Sequence, residues 1–197
     1  MMNLKITVLG STGTGKTSLI SRYIYNEFAD SYDPTIEDLY RKSEECDGNN
    51  YVLEIMDTSG TEKFLAMRDL YIRNANAFIL VYSITSRVSF QEVENIKALI
   101  TQVKDTPLSN IPVVLLGNKC DLESHRSIQA DEAQALCKKW GVKEFMETSA
   151  KSDMNIHNVF ESIMRQAKTM KLDTKTKKKS LVKKLVSSKK YGNCFLM

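Results

Sequence analysis

The chain predicts an α/β fold: a mainly parallel six-stranded sheet with one antiparallel edge strand and helices on both faces. Three observations carry this reading. Short apolar runs alternate with segments of helical periodicity along residues 1–170. Two of the runs, 39–46 and 51–57, flank Asp47-Gly48-Asn49-Asn50, a hairpin signal that supplies the antiparallel edge strand. A glycine-rich loop joins the first strand to the first helix, as in doubly wound sheets that bind phosphate.

The elements follow in order. Residues 4–9 alternate and end in glycine, which reads as a strand. Residues 16–25 have helical spacing, and 30–34 form a turn-rich loop. After the hairpin, strands are expected over 77–83, 113–116 and 144–148, each a short apolar run bounded by turn residues. Helices are expected over 67–74, 89–104, 131–140 and 156–170. Beyond Met170 the apolar periodicity gives way to lysine, so the expected organisation is a domain of residues 1–170 followed by a flexible tail, 171–197.

Composition fits one ordinary globular domain. The chain has 197 residues, of which 42% are hydrophobic and 26% charged, enough for a single core without staples. With 3 prolines and 8 glycines it is neither collagenous nor low-complexity. The longest apolar runs, 77–82 and 111–116, fall far short of the roughly 20 residues that span a bilayer. The opening ten residues are too soon interrupted for a secretory signal. Cys46, Cys120, Cys137 and Cys194 lie far apart with no C-x-x-C pair, so reduced thiols in the cytosol are expected rather than zinc. The formal charge of +4 is uneven. Ten lysines and one acid from Lys168 onward give +9, leaving −5 for the body. An acidic body argues against a nucleic-acid surface, and a basic tail argues for an anionic partner.

Gly10-Ser11-Thr12-Gly13-Thr14-Gly15-Lys16-Thr17 fits G-x-x-x-x-G-K-[ST]. The glycines let backbone N–H groups wrap phosphate oxygens, and the loop opens a helix whose N-terminus favours anions. Lys16 is placed to reach the outer phosphates. The Thr17 hydroxyl is a Mg²⁺ ligand, and Ser18 follows it in the first turn. Asp57-Thr58-Ser59-Gly60 ends the hairpin's second strand. Asp57 there can hold Mg²⁺ through water, and Gly60 can offer an N–H to a γ-phosphate. The pattern makes the fold that of a P-loop NTPase.

Asn118-Lys119-Cys120-Asp121 follows the strand at 113–116. Guanine presents N1–H and its 2-amino group as adjacent donors, and the one carboxylate of Asp121 can accept both. Adenine would set a lone pair against it, and such buried pairing rejects the wrong partner by about 10⁴ or more. An ATP-using enzyme is therefore disfavoured. Lys119 can cover the base plane and Asn118 can tie loops together. The segment Thr148-Ser149-Ala150-Lys151 can offer a backbone N–H to guanine O6.

With these motifs in order, the chain resembles a small GTPase of the Ras family over residues 3–170, most closely the Rap branch. Tyr32-Asp33-Pro34-Thr35-Ile36-Glu37-Asp38 resembles the family's first switch, and the resemblance implies an effector surface continuing through Leu39 and Tyr40. It further implies that Thr35 ligates Mg²⁺ in the triphosphate state, that Tyr32 closes over the phosphates and that Phe28 packs on guanine. The catalytic set implied is Lys16, Thr35, Gly60 and Thr61. Thr61 stands where Ras carries its catalytic glutamine, as in Rap; Ala66-Met67-Arg68-Asp69-Leu70-Tyr71 and Val81-Tyr82-Ser83-Ile84-Thr85 are also Rap-like. The chain departs from the pattern at Ser31, at Thr12 in place of glycine and at Ser59 in place of alanine. Without the glutamine, slow intrinsic hydrolysis is expected, with an activating protein supplying an asparagine in trans. The resemblance alone implies exchange factors, activating proteins and effectors with ubiquitin-like Ras-binding domains.

The last residues, Cys194-Phe195-Leu196-Met197, fit C-a-a-X with a farnesyl preference. One lipid anchors marginally, and the second signal is the lysines at 175, 177–179, 183, 184, 189 and 190. The expected place is the cytoplasmic face of the plasma membrane or another anionic membrane. Phosphorylation of Ser187 or Ser188 would weaken the attachment. His125 and His157 read as surface residues, Trp140 as packing, and Cys46 and Cys137 as ordinary thiols. The sequence thus reads as a membrane-anchored GDP/GTP switch with Mg²⁺. The alternative is a nearly non-hydrolysing GTP-dependent binding module controlled by exchange.

Overall fold

A computed structural model describes residues 1–28, 37–59 and 65–171. Six strands form one sheet in the order β2-β3-β1-β4-β5-β6. They are β1 (Met2–Leu9), β2 (Glu37–Cys46), β3 (Asn49–Thr58), β4 (Ala77–Ser83), β5 (Val113–Asn118) and β6 (Glu144–Thr148). All adjacent pairs are parallel except β2 with β3, so the one antiparallel strand lies at the edge, as expected. The helices are α1 (Lys16–Tyr25), α2 (Leu65–Asn74), α3 (Arg87–Lys104), α4 (Ala130–Trp140) and α5 (156–171).

Alternation along the central strands creates two cores. Ala77, Ile79 and Val81 of β4 face Leu19 and Ile20 of α1 and Phe160, Ile163 and Met164 of α5. Phe78, Leu80 and Tyr82 face Ile96 and Ile100 of α3 and Ala133 and Trp140 of α4. Both faces of β4 and β5 are buried, which is why these strands read as continuous apolar runs. Trp140 is packing, as expected.

The structure corrects several boundaries. The hairpin turn is two residues, Asp47 and Gly48, with φ +47° and +69°, and Asn49 already belongs to β3. Two consecutive left-handed residues match the twist of the flanking strands, so the shorter turn wins over the four-residue reading. Ser86 caps α3 by accepting from the Ser89 N–H, which starts that helix two residues earlier than its apolar pattern. β5 continues to Asn118, because a polar residue at a strand end ladders as readily as an apolar one. No helix among the described residues is long and apolar enough to cross a membrane.

Candidate functional site

The ends of β1, β3, β5 and β6 open onto one side of the sheet, and each delivers one motif. β1 runs into the loop 10–17, whose crest at Thr12 and Gly13 is exposed. Gly10 is required by space: a Cβ there would stand 2.1 Å from the Val81 carbonyl oxygen. Gly15 has φ +89°, and its Cβ would meet Asn118 Nδ2 at 2.5 Å. The loop is tightened from inside by the Thr14 hydroxyl, which donates to the Ser11 carbonyl at 2.9 Å.

Lys16 is buried at the start of α1. Its Nζ donates to the Gly10 and Ser11 carbonyls at 2.9 and 3.0 Å. Burial pushes its pKa down to about 8, against the nearby Asp57 carboxylate, which holds it up. Ser18 lies half-buried in the same first turn of the helix. The Thr17 hydroxyl donates to Asp57 Oδ2 at 2.7 Å, joining β3 to the phosphate loop. Asp57 is fully buried, and its Oδ1 has no hydrogen-bond partner among the described residues. Burial raises its pKa, while the Thr17 hydroxyl and Lys16 oppose the rise. A buried oxygen without a partner beside a hydroxyl is the donor chemistry that a hard cation such as Mg²⁺ accepts.

The base motif is built around Asn118. Its Nδ2 donates to the Thr14 carbonyl at 2.8 Å, and its Oδ1 accepts from the Thr148 hydroxyl at 3.1 Å. Phosphate loop, β5 and β6 therefore meet at one side chain, the loop-tying role read from the sequence. Lys119 takes a left-handed φ of +65° and leads its stem alongside Gly15. Asp121 is exposed and accepts from the Ser149 hydroxyl at 2.6 Å. Ser149 and Met154 pair through both backbone bonds, which folds 149–154 into a tight loop. Ala150 is buried within it and Lys151 is exposed. Phe28 is half-buried against the core on the α1 side.

Some expected residues lie outside the described ones: Tyr32, Asp33, Pro34, Thr35 and Ile36, then Gly60 and Thr61, and Cys194 with the tail. Of the expected effector strand, Glu37 and Asp38 pair in register with Thr58 and Asp57. Leu39 is 62% exposed, and Tyr40 stands edge-on to Tyr25 with ring centroids 6.2 Å apart. A cavity of about 430 Å³ lies elsewhere, between β6 and α5, and contains none of the motif residues.

Sequence reasoning missed the residues that hold the motifs rather than form them. Arg126 reaches Glu147 of β6 at 2.6 and 2.9 Å and Glu123 at 2.7 Å, bracing the turn after Asp121. The Thr58 hydroxyl donates to the Val8 carbonyl at 2.7 Å, fixing the end of β3 to β1. Arg22 of α1 reaches the Ala150 carbonyl at 2.8 Å. An arginine in a helix or loop is too common for any of these to stand out by composition.

Comparison with known proteins agrees with this geometry. The Ras family profile matches residues 5–169. The chain is 61% identical over 167 residues to Ras-related protein rapC of Dictyostelium discoideum, a match covering 84% of this chain and 60% of that relative. The matched stretch is thus less than two thirds of the relative's length. With the fold, the ordered motifs and this identity together, the chain belongs to the Ras family of small GTPases and is Rap-like within it.

Proposed function

We propose that this protein is a GDP/GTP-binding switch that hydrolyses GTP slowly. The observation that carries the reading is the junction at Asn118, which binds the phosphate loop at 2.8 Å and Thr148 at 3.1 Å. It ties the turn that carries Asp121, read as the guanine-selecting carboxylate, to the loop read as the phosphate cradle. A mononucleotide is the ligand that needs both.

In this reading Lys16 exchanges its two carbonyl partners for phosphate oxygens and stays charged. The loop N–H groups and the N-terminus of α1 stabilise the charge that develops as water attacks the γ-phosphorus and its bond to the bridging oxygen breaks. Mg²⁺, when bound, neutralises phosphate charge; Thr17 and Thr35 would hold it directly and Asp57 through water. Thr61 has no amide with which to orient the attacking water, so intrinsic turnover is slow and an activating protein supplies the orienting group. The γ-phosphate draws in Thr35 and Gly60, which reshapes the effector segment from Tyr32 to Tyr40. Exchange factors, activating proteins and effectors read that difference. The membrane reading rests on Cys194 and the tail lysines, with a prenyl group and an anionic leaflet acting together.

The second reading, a nearly non-hydrolysing module, is favoured by the residues Thr12, Ser59 and Thr61 in the phosphate motifs. Single-turnover hydrolysis of GTP, alone and with Rap-type and Ras-type activating proteins, decides between them. Acceleration by the Rap type supports the cycling switch. No acceleration by either supports the exchange-controlled module. Competition for the site by ATP at micromolar concentration would overturn guanine selectivity and both readings.

A further inference from the structure

Arg22, in the last turn of α1, spreads its guanidinium over three backbone carbonyls. Nε donates to Ala150 O at 2.8 Å and Nη2 to Lys151 O at 3.4 Å. Nη1 donates to Asn26 O at 2.9 Å, with Asn26 Oδ1 at 3.3 Å. Asn26 closes the helix in return: it takes φ +57°, and its N–H donates to Arg22 O at 3.0 Å. A guanidinium is planar, permanently charged and forked, and its bonds to carbonyls are charge-assisted. One side chain therefore joins two segments far apart in sequence.

Those segments are two walls of the expected base pocket. The loop 149–151 offers N–H groups to the base, and the stretch 26–28 carries Phe28. A trans peptide holds its N–H and C=O in one plane and opposed. Fastening the Ala150 carbonyl to α1 therefore also fixes the direction of the Lys151 N–H in the same peptide unit. On its other side the loop is held by Ser149, whose Oγ donates to Asp121 and accepts from the Ser152 N–H at 3.1 Å. Because α1 begins with Lys16 and Thr17, the Arg22 contacts couple this loop to the helix that receives phosphate.

We propose that Arg22 is a positioning residue for the guanine base: by clamping the Ala150 and Lys151 carbonyls to α1 it aims the loop's N–H groups at O6 and prolongs nucleotide residence. The proposal rests on the nucleotide-switch reading above. Arg22 touches no reacting atom and acts through the loop it holds.

The test measures affinity and release of GDP and of 6-thioguanosine diphosphate, which keeps the N1–H and 2-amino donors but carries sulfur, a weak acceptor, in place of O6, by full-length wild type, Arg22→Ala and Arg22→Lys. Arg22→Ala should release GDP about ten-fold faster, equivalent to ~1.4 kcal/mol, while changing affinity for the O6-lacking nucleotide less than two-fold. Arg22→Lys keeps the charge without the fork and should fall between, and it serves alone if the alanine variant does not fold. Equal weakening toward both nucleotides means a merely structural role and overturns the proposal, as does unchanged GDP release. Wild type that retains no GDP overturns the switch reading, and this proposal with it. Wild type that retains GDP beside an indistinguishable variant overturns only the role of Arg22.

Discussion

Lys16 is caught between burial, which favours the neutral amine, and the Asp57 carboxylate, which favours the ammonium. Its pKa, down from 10.5 to about 8, has two consequences. In the nucleotide-free protein the buried ammonium lowers stability fully below pH 8. That penalty fades as pH rises from about 8 toward 10.5, where the unfolded chain holds more protons than the folded one. Nucleotide phosphates call the charge back, so binding above pH 8 should take up one proton. Titration calorimetry at pH 9 in buffers of different ionisation heat should show it, with affinity falling up to about ten-fold per pH unit. Glycine substitutions separate two constraints at the same scale. Gly10→Ala drives a methyl into the Val81 carbonyl and should lower stability by about 3 kcal/mol or more. Gly13→Ala meets nothing within 4 Å but must hold φ +73°, and should cost about 1–2 kcal/mol. Urea melts of both variants check the contrast. The glycine spacing was legible because it is a backbone requirement. The buried carboxylate was legible only as a strand-end acid, since its missing partner is a fact of packing.

At the scale of elements, a side chain completes the sheet where a strand falls short. β6 begins opposite Val114, leaving Val113 without a strand partner on that side. Gln166 of α5 fills the place: its Oε1 accepts from the Val113 N–H at 3.1 Å and its Nε2 donates to the Val113 carbonyl at 3.2 Å. Gln166→Ala leaves both backbone groups buried and unpaired. It should destabilise the protein by about 2 kcal/mol or more, and hydrogen exchange at the Val113 amide should quicken by a comparable factor. No periodicity could have shown this, because a glutamine on an amphipathic helix looks like an exposed residue. The helices themselves were legible from their apolar stripes, whose buried positions in α3 are Val93, Ile96 and Ile100. Their ends were less so, since Ser86 and Gly141 fix them through caps rather than through hydrophobic spacing.

Across the whole molecule, four strand ends deliver four motifs to one side of the sheet, and the ordering of those motifs was readable because each follows its strand directly in sequence. The contacts between them were not, since Thr17 and Asp57 lie 40 residues apart and Arg22 and Ala150 lie 128 apart. Charge is divided as unevenly as structure. A charge of +9 from Lys168 onward on a body of −5 should drive vesicle binding that depends on salt. Prenylated full-length protein should bind vesicles containing anionic lipid and lose most of that binding as ionic strength shortens the screening length to about 3 Å near 1 M. A co-sedimentation series in salt checks this, and binding that ignores salt would assign attachment to the lipid alone.

Among the described residues no strand pairs with the outer side of β2, and its charges have a symmetry that bears on this. Acids at Glu37 and Asp38, bases at Arg41 and Lys42, and acids at Glu44 and Glu45 form a near palindrome. Two copies laid antiparallel about the Arg41–Lys42 midpoint would set Asp38 against Glu45 and Arg41 against Lys42. Like charges directly opposed push strands apart. That midpoint register is therefore closed to two copies of this strand, and an antiparallel partner seated there would need its charges ordered base, acid, base.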